Sequence, residues 1–126
     1  SRVVERLVDV IRERRANVRL VVIGEIHSER LRRPDSGVVI TGAYERSSLP
    51  ELGRRHGIHC VLVPSICPET FCFVAAETIQ MGLPLAAFDI GAQGDHARSY
   101  PLGLVIPEMT AEATLDAILA RFAATG

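Results

Sequence analysis

Lysine is missing from this chain. All fourteen basic residues are Arg, so no ammonium side chain is present to act as a point charge on a phosphate. An excess of basic charge is missing too. A formal net charge of -1 gives no electrostatic footprint for nucleic acid or an anionic membrane surface, which excludes a nucleic-acid partner. No apolar run approaches the ~20 residues of a membrane span, and no signal peptide opens the chain. The expectation is a cytoplasmic protein. Cys60, Cys67 and Cys72 are odd in number and fit neither a disulfide framework nor zinc-ligand spacing, which reads as reduced, packing cysteines. His56 and His59 flank Gly57 without the spacing of a metal site. No metal and no cofactor are expected.

What is present is an ordinary globular composition, 48% hydrophobic over 126 residues, enough for one domain with its own core. Val3, Val4, Leu7, Val8 and Ile11 recur at helical spacing and predict a helix over 2–15. Apolar runs predict strands at Val18–Ile23, Val38–Thr41, Cys60–Val63, Leu85–Phe88 and Leu102–Ile106. Between them lie a capping-box start at Ser48 to Glu51, a helix from about Phe71 to Met81 stopped by Gly82, and a flexible loop at Gly91–Gly94. Thr110 caps a last helix whose stripe is Leu115, Ile118, Leu119 and Phe122. Strands alternating with helices predict an α/β fold, a doubly wound, mostly parallel, Rossmann-like sheet with helices on both faces. Such sheets bind ligands beyond the carboxyl ends of the strands. A doubly wound unit usually begins with a strand, and this chain begins with a helix. Ser1 therefore reads as a cut end, with the first strand expected from upstream residues or from another copy.

The most informative stretch runs from Pro68 to Asp89. Glu69 and Glu77 stand with seven residues between them across a loop-to-helix junction; a fully helical path would set them ~12 Å apart along the axis. The helix start between them offers free N–H groups and the positive dipole end to an anion. The two carboxylates offer strong acceptors to hydroxyl groups at either side. Sugar, diphosphate and ribose in a row would fit. Glu77 has Phe73, Val74 and Met81 as helical neighbours, a face on which an unused charge is costly. The Arg30, Arg32, Arg33 cluster reads as a solvated loop, and His96 beside Asp95 as a surface histidine.

The glutamate pair, the Gly82-to-Pro84 turn, the strand into Asp89, the loop at Gly91 and the Gly103-Leu104-Val105-Ile106-Pro107 close together resemble the C-terminal half of the group 1, or family 4, glycosyltransferases of the GT-B fold. The likeness runs from about Val18 to Ala120. It implies that residues 1–126 form one nucleotide-sugar (donor) binding domain and that an acceptor-binding N-terminal domain lies outside this chain. It implies a metal-independent transfer with retention of anomeric configuration, in keeping with the lack of an Asp-x-Asp pair. Glu69, the catalytic candidate, would touch the donor sugar and Glu77 the ribose. Backbone near Thr70, Phe71, Cys72 and Phe73 would face the diphosphate, with Gly91 beside it, and the loops carrying Gly24, Gly42 and Tyr44 would meet the base. Cys72 stands where the family usually has glycine, and Asp95 where it often has glutamate. The family's Arg and Lys on a segment before the first helix have no counterpart here.

The implied function is sugar transfer from a nucleoside diphosphate to a glycan or lipid-linked acceptor, as in polysaccharide, lipopolysaccharide or O-antigen assembly for the cell envelope. The full-length protein would then work in the cytoplasm, with peripheral association at the inner face of the bacterial membrane and homo-oligomerisation left open. Two other readings stand beside it: a non-catalytic nucleotide-sugar-binding or scaffolding module of the same fold, supported by Cys72, and an epimerase-type or inverting enzyme.

Overall fold

A computed structural model describes residues 2–123. The chain divides into two compact units, Ser1–Ile58 and His59–Gly126. Both are α/β, each with a parallel sheet, and helices lie on both sides. The expected strands are all there, Leu85–Phe88 at its full length and the others shortened.

In the first unit, α1 (Arg2–Glu13) is followed by β1 (Val21–Val22), α2 (Glu29–Arg32), β2 (Val39–Ile40) and α3 (Leu49–Arg55). α1 buries Val4, Leu7, Val8 and Val10; Val10 was not in the predicted stripe, and Val3 and Ile11, which were, are half-buried. It ends two residues early, where Arg15 turns into the left-handed region at φ 51°. Val4 and Val8 meet Leu31 in a small core, against which Leu20, Ile26, Val38 and Ile40 pack. Leu31 belongs to α2, within the Arg-rich stretch expected to be a solvated loop. Ser28 builds that helix: its Oγ accepts from Leu31 N at 3.2 Å and donates to Glu5 Oε1 at 2.9 Å. Arg30 pairs with Asp9. The capping box at Ser48 does not form. A 3-10 turn, Arg46–Ser48, runs directly into α3, so Ser48 already has helical dihedrals (φ -86°, ψ -8°) and makes no side-chain cap bond; a cap needs extended dihedrals to place its hydroxyl over the first amides.

The second unit is built from β3 (Val61–Val63), α4 (Phe73–Met81), β4 (Leu85–Phe88), α5 (Gly91–Ser99), β5 (Gly103–Ile106) and α6 (Ala111–Ala123). Its strands lie in the order β3-β4-β5, with Leu62 opposite Ala86 and Ala86 opposite Leu104. Each residue of the central strand β4 is 0% exposed, as expected for a strand covered on both faces. α4 ends as predicted: Gly82 takes φ 71°, and Leu83 N donates to Thr78 O at 3.2 Å, closing the last turn. Thr110 Oγ1 accepts from Ala113 N at 3.1 Å and caps α6, in which Leu115 is fully buried while Ile118, Leu119 and Phe122 are half-buried.

One expectation fails here. Gly91–Gly94 is the first turn of α5 rather than a flexible loop. Its glycines serve close packing: a Cβ on Gly94 would come within 2.8 Å of Phe88 O. Gly103 shows the same device, since a Cβ there would overlap the carbonyl oxygen of Ala97. Small residues let α5 lie directly against β4 and β5, and contact of this kind looks like loop chemistry in a sequence.

Candidate functional site

Beyond the carboxyl end of β3 the chain runs through Pro64 to Cys72 without regular structure before α4 begins. Glu69 sits in this segment, half-buried. Its backbone is held on both sides by the start of α5. Ala92 N donates to Glu69 O at 2.8 Å, and Glu69 N donates to Gln93 Oε1 at 3.1 Å. Gln93 Nε2 in turn donates to Cys67 O at 2.9 Å and reaches Ser65 O at 3.5 Å. Gly91, at φ 56°, permits the approach: a Cβ would fall 2.5 Å from Glu69 N and 2.7 Å from Pro68 Cα. So Gly91 lies against the peptide that carries Glu69, and no other residue fits there.

α4 starts at Phe73, two residues later than predicted. Only Phe73 to Glu77 is helical between the two glutamates, about 6 Å of axial rise in place of the ~12 Å of a fully helical path. Glu77 lies one turn into the helix and is half-buried. Thr70 is exposed. Phe71 and Phe73 are also exposed, and their rings meet edge to face with centroids 4.5 Å apart.

Cys72 occupies the position before the first helical residue, at φ -119°, an extended backbone that any residue adopts. Its side chain is 2% exposed and packs with Val63, Ala75, Leu85, Ala87 and Ala97. Burial pushes the thiol pKa up, opposed by the nearby N–H groups of Ala75 and Val74 and reinforced by the Glu69 charge. No side-chain cap bond forms at this helix start, and a thiol is a weak acceptor.

Asp89, at the end of β4, and Asp95, on α5, both accept from Arg98, the latter at 2.7 Å. All three side chains are exposed. Arg98 thereby offsets both carboxylates, and its own pKa is raised, chiefly by the hydrogen bonds to Asp89 and Asp95.

In the first unit, Gly24, Gly42 and Tyr44 come together at the carboxyl ends of β1 and β2. Gly42 N donates to Gly24 O at 2.9 Å, and Gly24 N donates to Thr41 Oγ1 at 2.9 Å. Gly24 and Gly42 have φ of 118° and 81°, dihedrals open mainly to glycine. The Tyr44 ring covers Gly24, 3.6 Å from where a Cβ would be. Beside them is a pocket of about 310 Å³ lined by Glu25, Ile26, His27, Arg32, Ile40 and Gly42.

The predicted site residues thus gather as two groups: Glu69, Thr70, Phe71, Cys72, Phe73, Glu77 and Gly91 in the second unit, and Gly24, Gly42 and Tyr44 in the first. Gln93 was missed. Its one sequence signal is a long polar side chain among Gly91, Ala92 and Gly94, where small residues otherwise prevail. No helix among the described residues is long and apolar enough to cross a membrane.

A family model described as glycosyl transferases group 1 matches residues 2–123. A GDP-mannose-dependent alpha-mannosyltransferase of Mycobacterium tuberculosis (strain CDC 1551 / Oshkosh) is 36% identical over 91 residues, 71% of this chain and 23% of the relative. The chain therefore spans about a quarter of the curated relative that it matches. No solved structure matches it.

Proposed function

This chain belongs to the group 1 glycosyltransferases, and from that membership we propose that it forms the nucleotide-sugar-binding part of a retaining, metal-independent enzyme. The observation that carries the reading is the Glu69 corner. A carboxylate is held by its own backbone in the segment that leads into a helix start with no side-chain cap bond. A group 1 glycosyltransferase must place a sugar and receive a departing diphosphate. Glu69 would orient the sugar hydroxyls as an acceptor, and the first turn of α4 would meet the negative charge. Glu77, one turn further, would take the ribose hydroxyls. Amides around Thr70 to Phe73 line the path between them.

The name of the relative suggests GDP-mannose as the first donor to try. The acceptor is proposed to be a glycan or a lipid-linked glycan, bound by residues outside this chain. On that reading the 126 residues bind donor weakly and transfer nothing, because the acceptor and the walls that exclude water are elsewhere. Cytoplasmic work at the inner membrane face and a role in polysaccharide or lipopolysaccharide assembly belong to the same proposal. The burial of the Cys72 thiol in the core weighs against taking it as the mark of a non-catalytic module.

The test is sugar transfer by the enzyme that contains this chain, with GDP-mannose and a panel of other nucleoside-diphosphate sugars, followed by the anomeric configuration of the product. Transfer with retention supports the reading. An inverted product, or no binding of any nucleotide sugar by calorimetry, overturns it.

A further inference from the structure

We propose that Gln93 is a positioning residue for Glu69, setting from α5 where that carboxylate can stand. This rests on the donor-site reading above and deepens it. Gln93 is 0% exposed, and a buried carboxamide is costly unless its hydrogen bonds are made. Here they are all made to the backbone of one segment: Oε1 accepts from Glu69 N, and Nε2 donates to Cys67 O and, at greater length, to Ser65 O. The orientation of the amide is fixed by its partners. Glu69 N–H demands an acceptor and the Cys67 carbonyl demands a donor, so the reversed amide would oppose like with like on both sides.

The segment from Ser65 to Glu69 has no helix or strand to hold it. Pro68 removes one of its amides and Pro64 stands just before it, and an irregular loop of this kind wanders unless something else satisfies its backbone. Gln93 does so at three points. Ala92 N adds a fourth through Glu69 O, and Gly91 gives the two backbones room to touch. The N–H and C=O of Glu69 itself are both consumed. That amide is therefore structural and contributes nothing to anion binding, while the side chain is left as the only polar group of Glu69 for a ligand.

A leucine at 93 would fill a similar volume and leave these backbone groups without partners. A glutamate would keep the acceptor for Glu69 N–H and face the Cys67 and Ser65 carbonyls with negative charge. Both variants, with Leu115→Ala as a control, are made in the enzyme that contains the chain. Leu115 is equally buried but lies on α6. Two measurements separate positioning from general loosening. The first is amide hydrogen exchange, which reads the brace without reference to activity. Gln93→Leu is expected to speed exchange of the Glu69 amide and of the 65–70 segment selectively, and Leu115→Ala is not. The second is GDP-mannose kinetics on the folded fraction. Gln93→Leu is expected to lower kcat by up to about 100-fold, the scale of a misplaced catalytic group, with Gln93→Glu also impaired and Leu115→Ala unchanged. Combined with Glu69→Ala, Gln93→Leu should add no further loss, because a residue that acts through Glu69 has nothing left to position.

Unchanged exchange at Glu69, unchanged kcat in Gln93→Leu, or losses that add in the double variant would each overturn the proposal. If exchange quickens while Glu69→Ala turns over normally, the brace is present but Glu69 is not a donor contact. The donor-site reading then fails, and a positioning role in transfer with it.

Discussion

The two units solve the same problem at very different depth. In the second unit each central strand residue from Leu85 to Phe88 is 0% exposed, and the loop bearing Glu69 is bonded to α5 at several backbone atoms. In the first unit the ladder is two residues per strand, Val39 is 42% exposed, and the loop ends meet through a single antiparallel bridge between Gly24 and Gly42. The corner proposed to orient the donor sugar is built on a deep core. The carboxyl ends of β1 and β2 rest on glycine turns and one tyrosine. Precision follows from how many independent contacts fix a loop, and the second unit supplies more of them.

That contrast can be broken or sharpened by substitution. The largest expected effect is Gly103→Ala, which puts a methyl group into the Ala97 carbonyl. Because backbone is what it strikes, the loss should exceed ~3 kcal/mol, and denaturant unfolding should show the second unit lost. A wild-type transition would show that α5 can shift freely. Next is Glu69→Ala in the full enzyme, with transfer expected to fall about 100-fold and the unfolding midpoint unchanged; normal turnover would remove Glu69 from the donor site. Gly42→Ala probes the first unit by the opposite route. Nothing lies within 4 Å of a Cβ there, but φ is 81°, so backbone strain of about 1 kcal/mol is the whole cost. A loss as large as that of Gly103→Ala would mean that the first unit is as tightly determined as the second.

The smallest effect is on pH. Burial raises the Cys60 thiol from its ordinary 9.0 to about 11, partly opposed by Arg121. The unfolded chain then gives up this proton more readily than the folded one. Stability is therefore unaffected below pH 9 and declines as pH rises from 9 towards 11. Cys60→Ala should flatten this part of the stability–pH curve, and an identical slope in both proteins would exclude Cys60 as its source.

Much of the fold was legible because hydrophobic period and stop signals are local. The apolar runs, Gly82 with its left-handed turn, and Thr110 as a cap were all readable from neighbours in the chain. The misreadings share a cause. Ser48 and Glu51 match the capping pattern, yet a preceding 3-10 turn decides the dihedrals. Arg30, Arg32 and Arg33 are exposed as read, but their stretch turns helical where Ser28 and Leu31 meet α1. Gly91 and Gly94 look flexible until one sees what lies against them.

By itself the sequence determined the alternation of strands and helices, the family, and the spacing of the two glutamates proposed for the site, since each of these is written in periodicity or in residue type at a fixed spacing. Tertiary structure alone decided that α4 starts at Phe73, that the Cys72 thiol turns inward, and that Gln93 braces Glu69 from 24 positions away. A hydrogen bond between distant residues depends on where the whole chain has brought them, and no local pattern records it.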